Sequence, residues 1–359
     1  MRITNRTLVA FLIFGLFHTL SNAQTISLGE TELIYTDDEI PIRYDGSLST
    51  IRWDDQMHFF HSFGCRFGSN ENRRSRHSWY TGTPLDPLKT HLGSKEDHEF
   101  WDYNGYYSGM ETEGIWILGM YKHENGNLLA ITHSEVTPDS EKQGDSDLSY
   151  TIGLGYSTDK GKSWVYCGDI IRAADKHTNV GGGAYIVKDD YLYVYYNDTD
   201  TVPSGRHPAV ARAKLKDIIE MASQGKVGKW MKYKDGNWGT PGLSDIAGSS
   251  IFPLESGWED LHSDAAYCTA LGKYLLTVQT HDENELLLYS SADGVEWEKE
   301  AVIDVAGKGE MQPYSSFVDF DSPSDDCSTV SGDFYIYFPR KKMNNHDHDY
   351  MYRRRITIE

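Results

Sequence analysis

Cysteine is scarce in this 359-residue chain: Cys65, Cys167, Cys268 and Cys327 stand far apart, with no C-x-x-C pair among them. That spacing argues against a zinc cluster. Cys167 and Cys268 fall in apolar, strand-like runs, where a thiol is expected to lie buried and free. Basic residues are few as well. With 34 Lys and Arg against 54 Asp and Glu, the formal charge is −20. Such a surface repels nucleic acid and anionic membrane, and an anionic ligand would need a local basic pocket. After residue 24 no stretch reaches the roughly 18 uninterrupted apolar residues of a membrane helix. Helical periodicity is nearly missing too. Only Lys214 to Gln224 repeats its apolar residues at helical spacing, and Gly225 ends it.

The first 23 residues read differently from the rest. Arg2 and Arg6 precede an apolar run from Leu8 to Leu20, followed by the small residues Ser21-Asn22-Ala23. This is the pattern of a secretory signal peptide, which predicts a secreted or periplasmic protein with residues 24–359 as a single domain. That domain is rich in aromatics, 24 Tyr and 9 Trp in the whole chain. Their flat faces suit both solvated strands and the stacking of sugars.

Short runs of Tyr, Val, Ile and Phe alternate with Gly, Asp and Asn turns, which predicts an antiparallel all-β chain. One octapeptide says more. In Ser157-Thr158-Asp159-Lys160-Gly161-Lys162-Ser163-Trp164, the Ser and Asp can hydrogen-bond a tight turn, Gly161 can turn left-handed, and Trp164 can pack beneath. The run matches the Asp-box of sialidases and related β-propellers, which joins the third and fourth strands of a blade. A degenerate copy, Ser290 to Trp297, shifts the Asp but keeps the spacing of Gly294 and Trp297.

The turns then group into units of roughly 60 residues, as propeller blades would. The expected strands are Gly46–Trp53, Met57–Phe63 and Ser78–Lys89 in the first unit. Gly114–Tyr121, Leu128–Glu135, Tyr150–Tyr156 and Val165–Ile171 make the second. Gly182–Val187, Leu192–Asn197, Ala209–Lys214 and an edge at Trp230–Trp238 make the third. Asp264–Ala270, Tyr274–Thr280, Glu285–Tyr289 and Glu296–Ile303 follow, and Tyr314–Phe320, Asp333–Pro339 and Tyr350–Ile358 come last. The last unit lacks a strand, which Thr31–Tyr35 can supply from outside, closing the ring and covering a sheet edge. The expected fold is a five-bladed β-propeller, with six blades as the alternative. Gly68–His77 and Asp139–Asp147 read as loops.

In such blades the start of the innermost strand and the end of the second open on one face. The starts carry Asp45, Glu111, Glu113, His177, Asn179, His262, Asp264, Glu310 and Gln312. The second-strand ends carry His61, Arg66, His133, Glu135, Asn197, Asp198, Asp200, His281, Asp282, Arg340 and Lys341. Glu135 is the first choice for a catalytic acid, since neighbouring carboxylates and burial raise a carboxyl pKa toward neutrality. Asp264 is its expected partner, with Asp45 and Asp198 as further carboxylates, each also readable as a turn or capping residue. His133 and His262 would position sugar or move protons. Arg66, Arg340 and Lys341 would bind a carboxylate or sulfate, while His61, Glu113, Asn179, Asn197 and His281 would line the pocket. Asn197-Asp198-Thr199 is also a glycosylation sequon. His346-Asp347-His348-Asp349 has the look of a metal-binding tract, but reads as a solvated loop.

Several inner-strand carboxylates on about five blades resemble the glycosidases of glycoside hydrolase family 43 and its relatives. The resemblance implies a general base (Asp45 or Asp264), a general acid (Glu135) and an acid-tuning residue (Asp198). With the N-terminal pattern it leads to the expectation of a secreted glycoside hydrolase acting on a carbohydrate; a monomer with no required cofactor is expected, with an axial Ca²⁺ as an option. A true sialidase is disfavoured, because three inner arginines cannot be placed. A polysaccharide lyase is the alternative, with His133 or His262 and a tyrosine such as Tyr195 or Tyr267 abstracting a proton beside a uronate carboxylate neutralised by Arg66 or Arg340. A lectin-like propeller is a third reading.

Overall fold

The computed structural model describes residues 24–36, 39, 46–63, 76–92, 111–137, 149–174, 180–200, 205–252, 259–260, 262–280, 284–342 and 345–359. Strand β1 (Ile26–Tyr35) is followed by five sheets in chain order. Blade one is β2 (Leu48–Trp53), β3 (Gln56–Phe63), β4 (Arg76–Thr83) and β5 (Asp86–His91). Blade two is β6 (Glu111–Lys122), β7 (Leu128–Thr137), β8 (Ser149–Ser157) and β9 (Val165–Arg172). Blade three has five strands: β10 (Gly182–Lys188), β11 (Tyr191–Asp200), β12 (Gly205–Lys214), β13 (Met231–Lys234) and β14 (Asn237–Pro241). Helix α1 (Leu215–Ala222) lies between β12 and β13. Blade four combines β15 (Glu259–Asp260), β16 (Ala265–Cys268), β17 (Lys273–Thr280), β18 (Glu285–Ser291) and β19 (Glu298–Val305). Blade five has β20 (Glu310–Met311) and β21 (Ser316–Val318) as a broken inner strand. From the following loop, β22 (Thr329–Val330) joins blade four, and β23 (Asp333–Lys342) and β24 (Asn345–Ile358) complete blade five. The chain is a five-bladed β-propeller. No described helix is long and apolar enough to cross a membrane.

The continuous apolar runs have a simple cause: both faces of a middle strand are buried, each against a different neighbour. Along β18, Leu287 and Tyr289 pack toward blade three while Leu286 and Leu288 pack toward blade five. Along β23, Phe334, Ile336 and Phe338 face blade four and Tyr337 faces blade one. Five apolar clusters result, one in each space between neighbouring blades. Period-two packing thus gives apolar residues on both faces, not an apolar and a polar face.

Closure follows the expected route. β1 pairs antiparallel along β24 from Ile26 with Ile358 to Tyr35 with Met351, and Glu32 takes an ion pair from Arg353 at 2.6 Å. The turn from Ser157 to Trp164 forms as its residues suggest. Ser157 Oγ accepts the Gly161 amide at 2.9 Å, Asp159 accepts the Ser163 amide at 2.9 Å, and Gly161 adopts a φ of +77°. Trp79 of blade one donates to Gly161 O at 3.2 Å, and Tyr195 of blade three donates to Gly294 O at 2.9 Å in the second such turn. These two turns fasten blades two and four to their predecessors.

Several expected boundaries change. Ser78–Lys89 is a hairpin, β4 and β5, and β4 begins at Arg76, inside the expected loop Gly68–His77. Trp230–Trp238 spans the two strands β13 and β14. His346–Asp349 belongs to β24 and not to a loop. The expected loop Asp139–Asp147 lies outside the described residues. Cys167, Cys268 and Cys327 are buried free thiols, and burial pushes the Cys167 thiol up to about 12.

The segment between β21 and β23 closes the far end of the ring. Its Asp325 carbonyl accepts the Arg52 amide at 2.6 Å, its Asp326 carboxylate accepts the Lys122 amide at 3.0 Å and the Tyr185 hydroxyl at 3.3 Å, and β22 lies parallel to β16. It thereby touches blades one to four at once. Arg52 and Lys122 stand at the ends, not the starts, of their inner strands.

Candidate active site

Opposite this plug lies the end of the ring where the inner strands start. Trp116 on β6 and His133 on β7 are cross-strand partners there, with ring centroids 5.7 Å apart. Tyr150 stacks on the other side of His133, again at 5.7 Å. The His133 Nδ1–H donates to Val180 O, just ahead of β10, at 3.0 Å, which fixes the ring and its tautomer. His133 then meets His262 edge to face at 5.7 Å, and His262 meets Tyr314 at 5.4 Å. The Lys341 ammonium lies 5.5 Å from the Tyr314 ring. Blades two, four and five thus share one mouth.

Asp264, two residues beyond His262, forms part of the floor. Its own amide and carbonyl are held by Thr277 of β17, and its carboxylate accepts the Ala265 amide at 2.8 Å and the Phe317 amide at 2.9 Å. A narrow axial cavity, in which the centre of a water molecule has about 10 Å³ to occupy, is lined by Ser47, Leu118, Tyr185, Asp264, Asp326 and Ser328 among others. That is close to the room one water needs. Protein surrounds Asp264, yet the residue keeps partial exposure, as a funnel floor would. Burial pushes its carboxyl up to about 7, the two amides pull it back, and the Asp326 charge adds to the rise. The acid therefore holds its proton close to neutral pH.

Glu135 lies two residues past His133 on β7, its backbone paired with Gly114 and Tyr150. Since His133 touches His262, the chain positions of Glu135 and Asp264 share one end of the ring. Glu113 stands at the same end of β6. Asp45, Arg66, Asn179 and His281 lie outside the described residues.

Other expected site residues have structural settings. Asp198 is fully buried beside blade three, where its two oxygens accept hydrogen bonds from Ala174 N, Thr199 N, Tyr196 OH, Gly248 N and Lys232 Nζ at 2.8 to 3.1 Å. These five bonds anchor its carboxylate in the protein interior. Asn197 and His61 are fully buried too, which leaves the sequon no accessible acceptor in the folded chain. Arg340 turns toward blade four and grips Asp304 with three bonds of 2.7 to 3.0 Å, so the mouth receives Lys341 and not its neighbour. Alternation along β23 explains the difference. Tyr195 is committed to Gly294, and Tyr267 pairs with Tyr274, so neither tyrosine reaches His133 or His262.

Trp116, Tyr150, Tyr314 and Asp326 were not among the sequence candidates. The first two are aromatics inside or at the start of strands, indistinguishable in sequence from core. Asp326 lies in a Ser- and Asp-rich loop without periodicity. Among the described residues no group of three His, Cys, Asp or Glu could hold a metal ion. The polar groups lining the axial cavity are the carboxylates of Asp264 and Asp326 and the hydroxyls of Ser47, Ser49, Thr50, Tyr185 and Ser328.

An axial mouth on five blades defines the class, a five-bladed propeller with an axial site. No protein-family model and no curated protein sequence matches the chain. Solved structures share its fold. The catalytic domain of the family 62 α-L-arabinofuranosidase of Coprinopsis cinerea aligns with a TM-score of 0.51 at 9% identity, covering 93% of this chain and 96% of that one. A family 117 glycoside hydrolase of the marine bacterium Zobellia galactanivorans gives 0.53 at 10%, with 93% and 90% covered. A thermostable family 43 glycoside hydrolase gives 0.50 at 11%, with 93% and 89% covered. At such identities the likeness is one of fold.

Proposed function

We propose that the protein is an exported glycoside hydrolase acting on a polysaccharide or oligosaccharide, with Asp264 and Glu135 as its pair of catalytic carboxyls. The observation that carries this reading is Asp264 itself, a carboxyl with a pKa near 7 on the floor of an aromatic mouth. A group that is half protonated at neutral pH suits proton donation to a glycosidic oxygen. Asp264 therefore takes the acid role, and Glu135 takes that of base or nucleophile. The glycoside hydrolases that share the fold support the reaction class. Lys341 makes an anionic sugar the favoured substrate, and the apolar leader supports export.

The test is release of reducing ends from arabinoxylan, β-1,3-galactan, pectate and a sulfated galactan. Asp264→Asn and Glu135→Gln should each abolish cleavage of whichever polymer the wild type degrades. Undiminished turnover by either variant overturns its role.

One observation favours a second reading. Two histidines, two tyrosines and a lysine converge at the mouth, a set suited to β-elimination from a uronate. Ultraviolet absorbance of an unsaturated product, growing with chain scission of pectate, would replace the hydrolase by a lyase.

A further inference from the structure

Tyr314 stands between β20 and β21 with a φ of +62°, a region that bulky side chains rarely adopt. Most other described non-glycine residues with positive φ are Asp or Asn at turns. The conformation is enforced from both sides. The Tyr314 amide donates to His262 O at 2.6 Å, the Ser315 hydroxyl donates to Thr277 Oγ1 at 2.7 Å, and the Phe317 amide reaches Asp264 at 2.9 Å. These bonds lace the broken inner strand of blade five to blade four. Glycine would meet the same backbone demand without strain. The tyrosine ring instead remains partly exposed, beside His262 and Lys341. Strain held in place by surrounding bonds, in a residue whose ring touches His262 and Lys341, points to a side chain that is needed there.

We propose that Tyr314 is the residue on which a sugar ring of the substrate stacks, its left-handed backbone aiming the ring into the mouth. This rests on the reading of the mouth as a glycan site. The apolar C–H face of a sugar matches the flat face of the ring, and the phenol edge serves a sugar hydroxyl.

The test uses the full chain in affinity electrophoresis through gels containing arabinoxylan, β-1,3-galactan, pectate or a sulfated galactan, with thermal unfolding alongside. Tyr314→Gly should bind about tenfold more weakly to the polymer that retards the wild type, while its Tm stays the same or rises. Tyr314→Phe should bind within about threefold of the wild type, since the stacking face survives. The proposal is overturned if Tyr314→Gly binds as the wild type does, if its binding and Tm fall together, or if no polymer retards the wild type. Weakened binding in Tyr314→Gly together with full cleavage by Asp264→Asn keeps the stacking residue and removes the acid assignment. The opposite pair of results removes the stacking residue alone.

Discussion

His133 of blade two and His262, between β15 and β16 of blade four, meet edge to face, 5.7 Å between ring centroids, although 129 positions separate them in the chain. Val180 holds the first ring through its carbonyl, and the backbone of the second is held by the Tyr314 amide. Residues in contact couple energetically, while distant ones add. His133→Ala and His262→Ala should each lower kcat/KM on the cognate glycan by about tenfold or more, and the double variant should lose less than the product of the two. Strictly multiplicative losses would show that the rings act independently.

Asp198 was attractive in sequence as a tuning carboxylate, and its geometry makes a different prediction. Lys232 is fully buried and its ammonium reaches Asp198 at 3.1 Å and Ile246 O at 3.1 Å. Burial lowers the lysine pKa, and the aspartate opposes that. Asp198→Ala strands the cation, a change that costs about 3 to 5 kcal/mol in buried pairs. Urea unfolding should show a loss of that size, and replacing both partners, Asp198→Asn with Lys232→Met, should recover part of it. A variant as stable as the wild type would contradict the anchoring role.

These outcomes show which features the sequence could carry. Blade repetition was legible because Asp, Asn and Gly turns recur after the inner strands of blades one to four, and the missing fifth-blade strand could be assigned to the N-terminus by counting edges. The end of the ring holding His133, His262 and Asp264 followed from strand order alone. Facing was harder. Arg340 and Lys341 are adjacent, and only the register of β23 decides that one grips Asp304 while the other meets Tyr314. The anchoring of Asp198 had no sequence signal, because a buried carboxylate with five donors and a catalytic one occupy equivalent places at a strand end. The crossing segment that delivers Asp326 to the axis has no periodic signal, since its structure rests on side-chain to backbone bonds within serine and aspartate turns.

The turn at Gly161 lies at the far end of blade two from the mouth, so it separates stability from activity. A Cβ at Gly161 would stand 2.7 Å from the Trp79 ring, at a φ of +77°. Gly161→Ala should therefore destabilise the fold by about 1 to 3 kcal/mol through strain and displacement of Trp79. Below its melting range the variant should turn over glycan at the wild-type rate. A selective fall in kcat without loss of Tm would mean that the turn communicates with the site.

Asp264 links stability and activity through one proton. Its folded pKa is raised to about 7 by burial, whereas in the unfolded chain it returns to the ordinary carboxylate value near 4. Below pH ~4 both states are protonated, and the group adds no pH dependence. From pH ~4 to ~7 the unfolded chain has released the proton and the folded one retains it, so the wild type loses stability as pH rises; above pH ~7 both are ionised and the slope vanishes. Asp264→Asn lacks this drift. The variant forgoes one backbone hydrogen bond, about 1 kcal/mol at any pH, but the wild type should lose about 2 to 4 kcal/mol relative to it between pH 4 and 8. Denaturant melts of both chains at closely spaced pH values measure the difference. If the proton also serves catalysis, wild-type kcat should fall on the alkaline side with a midpoint near pH 7, because the donor is then lost. A flat stability difference would show that the carboxyl is ionised throughout and cannot be the acid. A drifting difference with a pH-independent kcat would leave the buried proton in place and move the chemistry to another group.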